Sequence, residues 1–403
     1  MRSNESAGGN VLAWIAGLST IFIIVGLVSG LFDGILEKMT PPERHFSRAY
    51  DHYEGQGVPK DLAEAARLYR LAADGGMMEA QFNLALMYHD GDGVAQDRAE
   101  AARLYRMAAD QGDMQAQTAL GFMFSDGDGV KKDLVEAARW YRLAADQGDQ
   151  DALYKLAIMY ASGEGVSLDH AEAARLFRKV ADQGHADAQN YLAIMYQTGE
   201  GVGKDLAEAV RLYRLAADQG DQYAQTNLAT LYLEGNGLPK DEKEAMRLFT
   251  LAADQGHADA QHGLAFVYTE GLSTAKDLAK ATQFLRLASD QGHPNAQVAF
   301  GAEDLNGDGV TQDYAEAAKL FLKAAVQGEP WGQHNLALNY LRGEGVPMDT
   351  ATAYMWFNLS AANGLEEATE PRDRIATELS PEALSRAQER ARICLVSGYK
   401  TCD

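Results

Sequence analysis

Apolar residues in the stretch 80–88 fall at Ala80, Leu84, Ala85, Met87 and Tyr88, the spacing of one helix face, and predict a helix there. The loop Asp90-Gly91-Asp92-Gly93-Val94 follows. Two glycines so close together predict turns with φ > 0, where a Cβ would clash. Asp97 then reads as an N-cap with Glu100 three residues on, a capping-box-like pair that opens a second helix. Its buried stripe is Ala101, Ala102, Leu104, Tyr105, Met107 and Ala108, in which small alanines allow close helix approach and the aromatic fills space between layers. Gly112 ends that helix as a C-terminal cap glycine.

This unit recurs. The loop Gly-Val junction returns at Gly57, Gly93, Gly129, Gly165 and Gly201, as Gly-Leu at Gly237, degenerates at Ser273, and is restored at Gly309 and Gly345, every 36 residues without insertion or deletion. The capping pair recurs as Asp61/Glu64, Asp133/Glu136, Asp169/Glu172, Asp205/Glu208, Asp241/Glu244 and Asp313/Glu316. A strict period of this size signals an all-α solenoid, in which a hairpin too small to bury its own apolar face is stabilised by its neighbours. Nine units start near Pro41, Met77, Asp113, Asp149, His185, Asp221, His257, His293 and Glu329. In the first, Arg44, Arg48 and His52 replace Ala, Leu and Tyr, which suits a terminal cap with a wet outer face. The last second helix, 350–364, carries Met355, Trp356 and Phe357. A different hairpin follows as the C-terminal cap (365–397): a helix over 371–379, then Ser380 as N-cap and Pro381 at N1 of a helix to about Val396. Residues 398–403 form a tail.

The motif A-x-x-x-L-A-x-M-Y…G-x-G-V-x-x-D-x-x-E-A-A-R-L-Y-R-L-A-A-D-Q-G resembles the Sel-one-like repeat, a relative of the tetratricopeptide repeat with a longer loop, over residues 41–364. The Ala353-Tyr354-Met355-Trp356-Phe357 run resembles the closing repeat of many bacterial members. The resemblance implies a right-handed superhelix that scaffolds protein complexes, often at membranes.

Ahead of the array, residues 1–10 form a tail and 33–40 a spacer. Between them Val11 to Phe32 are 22 apolar or small residues without a charge, more than the roughly 20 that cross a bilayer as a helix. A signal peptide is the alternative, with Val28-Ser29-Gly30 as its cleavage site, but the run exceeds a typical h-region and only Arg2 precedes it as a basic side chain. A retained transmembrane anchor is favoured. The flank after the span (Asp33, Glu37, Lys38, Glu43, Arg44) is slightly acidic against Arg2, the α-amine and Glu5 before it. That favours an inner-membrane, single-pass chain with a periplasmic repeat domain in a bacterium.

The net charge of −22 argues against nucleic acid as a partner. The two cysteines, Cys394 and Cys402, are either one bridge, compatible with the periplasm, or two inert thiols; their spacing fits neither a metal nor a redox motif. No HExxH, GxSxG, Walker or Rossmann motif occurs, and Gly199 to Lys204 is the repeat loop rather than a phosphate cradle. Ser273-Thr274-Ala275-Lys276 matches the S-x-x-K of penicillin-recognising enzymes but lacks S-D-N and K-T-G companions. Asp304-x-Asn306-x-Asp308-Gly309 begins like a calcium loop but has Ala315 at the twelfth position. His185, His257 and His293 share one repeated turn position in different layers and read as turn residues, not a ligand cluster. No catalysis, cofactor or metal is expected.

The resemblance implies that the first helix of each unit lines a concave face. Positions varying between copies on that helix are then candidates to face a protein partner, or a membrane protein complex. One column gives Asn83, Lys155, Tyr191, Asn227 and Asn335, a second Phe122 and Phe266, and a third Tyr154. Apolar side chains would supply contact area and amides could pair with an extended backbone; for the second column, packing as core is equally open. In unit eight the usual Met-Tyr pair becomes Glu303-Asp304, beside the loop that has Ser273 in place of glycine. Buried unpaired carboxylates are costly, so either local distortion lets them reach water, or the patch is a partner site. The leading expectation is a membrane-anchored scaffold or adaptor. The alternative is a periplasmic cell-wall-associated or penicillin-hydrolysing protein, prompted by the Ser273–Lys276 pattern and by cysteine-rich members of the family it resembles.

Overall fold

A computed structural model describes residues 40–307 and 310–402. The expected membrane span at 11–32 lies outside the described residues, and among those described no helix is long and apolar enough to cross a membrane. The described regular structure is entirely helical, and the chain divides into two compact units between Lys179 and Val180. The first unit holds α1 (Pro42–Glu54), α2 (Leu62–Asp74), α3 (Met78–Asp90), α4 (Arg98–Asp110), α5 (Met114–Asp126), α6 (Leu134–Asp146), α7 (Gln150–Ser162) and α8 (His170–Ala181) as far as Lys179. The second holds α9 (Ala186–Thr198), α10 (Leu206–Asp218), α11 (Gln222–Glu234), α12 (Glu242–Asp254), α13 (Ala258–Glu270), α14 (Leu278–Asp290), α15 (Pro294–Asn306), α16 (Tyr314–Ala325), α17 (Pro330–Arg342), α18 (Thr350–Ala362), α19 (Thr369–Glu378) and α20 (Pro381–Val396).

Odd-numbered helices up to α17 are the first helices of the repeats. Gly91 and Gly93 have φ of 84° and 69°, as two loop glycines require. The second helices start as expected: Asp97 Oδ1 accepts from the Ala99 and Glu100 N–H groups at 3.1 and 3.0 Å. The capping box, however, is only half made. Glu100 does not turn back to the N-cap; its carboxylate takes a two-pronged bond from Arg103, both at 2.8 Å. The reason is that the Asp97 N–H is already bonded, to the Tyr88 carbonyl at 2.9 Å, across the loop. Gly112 ends the helix as expected, directly after the C-cap Gln111 and with φ 100°.

A buried amide ladder runs beside the alanine-rich core. Gln117 on α5 is 4% exposed; its Nε2 donates to the Ala109 carbonyl of α4 at 3.1 Å, and its Oε1 accepts from Gln147, after α6, at 2.8 Å. Each rung thus bonds a first helix to the preceding second helix and to the end of its own. In the second unit the rungs include Gln189 with Gln219 (2.8 Å), Gln225 with Gln255 (2.9 Å) and Gln333 with Asn363 (2.9 Å). Because both partners are satisfied, these buried amides carry no desolvation penalty of the unpaired kind.

The ends differ from the middle. Arg44 and Arg48 are exposed on α1, consistent with a capping unit. At the other end α19 and α20 cover the aromatic run of α18: Met355, Trp356 and Phe357 pack with Ile375, Ala387, Ala391 and Cys394. Ser380 caps α20, accepting from the Ala383 N–H at 3.2 Å, with Pro381 at the first helical position. Cys394 and Cys402 are joined in a disulfide, with Cα atoms 4.5 Å apart.

Candidate functional site: the first-helix face

The three variable columns separate by burial. The third is interior: Thr118, Asn190 and Thr226 are buried, and the Tyr154 ring lies 5.9 Å from Phe177 of its own repeat, as Phe82 lies 5.6 Å from Tyr105. Tyr154 therefore fills the space between the two helices of its hairpin more than it faces outward. The second column is mixed. Phe122 packs edge-on against Tyr141 at 5.5 Å, yet Phe266 is 49% exposed and Leu86 39%. In the first column Tyr191 is exposed, but one amide is consumed at home: Asn227 Nδ2 donates to Asn190 Oδ1 at 3.1 Å. Asn335 is half-buried on α17.

Within the first unit the structure brings Phe122 and Lys155 together, with the ammonium 5.3 Å from the ring centre. A cavity of about 260 Å³ opens between α1 and α3, lined by Tyr50, Tyr53, Tyr69, Asn83 and Leu86, with Glu54, Asp90 and Asp92 around it. Burial pushes the Tyr69 phenol up to about 12.

Within the second unit a wider cavity, about 530 Å³, lies between α11 and α13. Leu233, Phe249, Gly263, Phe266 and Leu272 give it an apolar lining, with Thr230, His262, Glu234, Glu270 and Lys240 also contributing. Gly263 matters sterically: a Cβ there would stand 2.6 Å from Phe249 Cε1, so the missing side chain is what admits the Phe249 ring. Phe266 and Gly263 come from the two outward columns, so the face expected from the variable positions does carry a depression here.

Two arrangements differ from the sequence reading. His257 and His293 are turn residues, the N-caps of α13 and α15, but they also make contacts between layers. His293 Nε2 is 2.8 Å from Asp259 Oδ1, His257 Nε2 is 3.7 Å from Asp259 Oδ2, and the His262 ring stacks on His293 at 4.9 Å. The N-cap of one repeat lies over the second helical residue of the repeat before it, 34 positions back, so different layers touch here. The His293 hydrogen bond holds the Asp259 carboxyl low, while burial lowers His257 and His262. Among the described residues no group of three or more His, Cys, Asp or Glu could hold a metal ion.

The unit-eight carboxylates also part company. Glu303 Oε2 accepts from Thr282 Oγ1 at 2.7 Å. Asp304 is only 5% exposed, and its Oδ2 has no hydrogen-bond partner, so local distortion does not deliver it to water. Burial, helped by Glu316 and Asp313, pushes its carboxyl up, with Arg286 opposing. In sister repeats the equivalent arginine lies over a tyrosine: Arg142 over Tyr160 at 5.9 Å, Arg214 over Tyr232 at 6.0 Å. Deprived of that ring, Arg286 lies over Phe300 instead, at 5.4 Å.

Ser273 holds φ 54°, a left-handed conformation its sister glycines adopt without strain. Its N–H donates to Glu242 Oε2 at 3.2 Å and its hydroxyl contacts the Met246 sulfur at 3.5 Å. We expect Ser273→Gly to raise stability by about 1 kcal/mol in urea unfolding, because the Glu242 bond uses only the backbone. A catalytic serine would instead show loss of turnover.

Nine consecutive segments match the Sel1 repeat: residues 48–77, 79–113, 115–149, 150–185, 186–221, 222–257, 258–293, 294–329 and 332–365. The chain is similar to the crystal structure of c5321, a protective antigen present in uropathogenic Escherichia coli strains and displaying an SLR fold. The identity is 31%, with 89% of this chain and 85% of that one covered and a TM-score of 0.58. It is similar also to a Sel1 repeat protein from Oxalobacter formigenes, at 32% identity over 77% of this chain and 90% of that one, with a TM-score of 0.62. No curated protein matches. With all nine helix pairs accounted for by that motif, the chain belongs to the Sel1 repeat family, whose members are typically protein-interaction scaffolds rather than enzymes.

Proposed function

We propose that the chain is a membrane-anchored scaffold that binds a protein partner through its first-helix face. The observation that carries this reading is the depression of about 530 Å³ beneath the half-exposed Phe266 ring, an aromatic anchor point among apolar walls. Interface hot spots take this form, a desolvated pocket with a polar rim. The anchor is residues 11–32, uncharged and long enough for a bilayer. The Cys394–Cys402 disulfide supports an oxidising compartment, in line with an inner-membrane chain whose repeats are periplasmic. The hydrolase alternative draws no support from Ser273, whose hydroxyl contacts a methionine sulfur.

The test is in-cell cross-linking followed by pull-down with the full chain and with Leu233→Asp/Phe266→Asp. Wild type enriches a defined protein, and the variant loses at least about tenfold of it, since truncating a hot spot removes 2 kcal/mol or more. A partner retained in full by the variant would rule out this part of the face.

A further inference from the structure

The geometry points to a second, chemically distinct site in the first unit: the cavity between α1 and α3 receives an arginine side chain from a protein partner. This deepens the scaffold reading and rests on it.

Tyr50 and Tyr53 of α1 and Tyr69 of α2 put three phenol rings at a space of about 260 Å³, and Tyr50 is 43% exposed. Glu54, Asp90 and Asp92 supply carboxylates, and among the described residues no basic side chain lines the space. Asp90 is engaged by His89 at 2.7 Å, but among the described residues no ion pair is made by Glu54 or Asp92. Aromatic faces attract cations through the ring quadrupole, and carboxylates reinforce them. The pocket therefore favours a cation over an apolar or anionic group.

The molecule itself shows how these parts behave. The Lys60 ammonium lies 5.4 Å from the Tyr53 ring, so that ring already carries one cation. Elsewhere the fold joins guanidinium to tyrosine: Arg142 lies over Tyr160 and donates to its hydroxyl at 2.6 Å, and Arg214 donates to Tyr232 at 3.0 Å. Guanidinium suits this site better than ammonium, because it can lie flat on a ring while its fork meets carboxylates. The interior wall is fixed beforehand: Tyr69 is 2% exposed and its ring packs 5.5 Å from that of Phe46. Asn83, from the partner-facing column, lines the same cavity.

The experiment is saturation-transfer NMR on the full chain in detergent, with N-acetylarginine methylamide as the probe and its citrulline analogue as the neutral isostere. The arginine probe binds saturably and the citrulline probe at least about tenfold more weakly. Asp92→Asn and Tyr53→Leu each weaken arginine binding by about three- to tenfold, while Asp254→Asn, an exposed charge in the second unit, leaves it unchanged. Asp92→Asn touches only the rim, so its effect does not depend on whether Tyr53→Leu disturbs packing. Equal binding of both probes overturns the proposal, and so does an equal loss with Asp254→Asn, which would mean attraction to net charge alone. Concentration-dependent self-association abolished by Tyr53→Leu would also overturn it, making a second copy the occupant. The probe is read on the chain alone, so a failed pull-down at Phe266 leaves this result standing, and the reverse holds too.

Discussion

Gly129→Ala destabilises the chain by about 2–4 kcal/mol, and Gly112→Ala by only about 1 kcal/mol. Both glycines have positive φ, 69° and 100°, so both substitutions force an L side chain into a conformation it disfavours. What separates them is the neighbour. A Cβ on Gly129 would stand 2.3 Å from the carbonyl oxygen of Arg98, the first residue of α4 in the previous repeat, whereas around Gly112 nothing lies within 4 Å. The backbone oxygen cannot rotate away, so the loop must lift off the helix that it seats. The Arg98–Asp128 ion pair at 3.0 Å spans the same junction and would be strained with it. In a solenoid such a loss falls on the coupling between neighbours. Urea unfolding with local hydrogen exchange should therefore show protection lost around α4 and α5 in the Gly129 variant. Equal effects of the two substitutions would mean that φ alone matters.

Asp304→Tyr should stabilise the chain by about 1–3 kcal/mol at pH 7, the size of the penalty for a buried group without a partner. The new ring would take the place that Tyr160 and Tyr232 hold in sister repeats, beside the arginine that now lies over Phe300. The pH dependence gives a sharper reading. Asp304's carboxyl is raised above its ordinary value by burial, so the folded state holds that proton more tightly than the unfolded one. Its penalty is full above the raised value and is relieved as pH falls toward the unfolded value of about 3.9. The gain from Asp304→Tyr therefore shrinks on acidification. His257 and His262, lowered by burial, act in the opposite sense: they cost stability as pH drops below about 6.5. They are present in both proteins, so the difference between wild type and variant isolates Asp304. A gain that stays constant with pH would show that the carboxylate is not the source.

Much of the architecture was legible because it is written in local chemistry. N-cap aspartates, loop glycines and the Ser380-Pro381 start are short-range signals, and 36-residue recurrence makes each of them count many times. The amide ladder was not read, although Gln81, Gln117, Gln189, Gln225, Gln261, Gln297 and Gln333 recur at one position and a glutamine or asparagine follows 30 residues later. The partner of each such amide lies across the hairpin, beyond the reach of a local pattern. The Asp259–His293 contact was missed for a related reason, since its 34-residue spacing differs from the period. The candidate face was legible only in part. Variation between copies marks Phe266 and Tyr191, which are exposed, but also Tyr154 and Asn227, each of which packs or bonds within the structure.

The most direct test of the scaffold account is hydrogen–deuterium exchange on the full chain with and without the protein that cross-linking captures. Binding through the first-helix face predicts slowed exchange in α11 and α13 around Thr230 and Phe266, and little change in α10 and α12. Protection confined to the even-numbered second helices would contradict it, and would place the partner on the opposite side of the repeats.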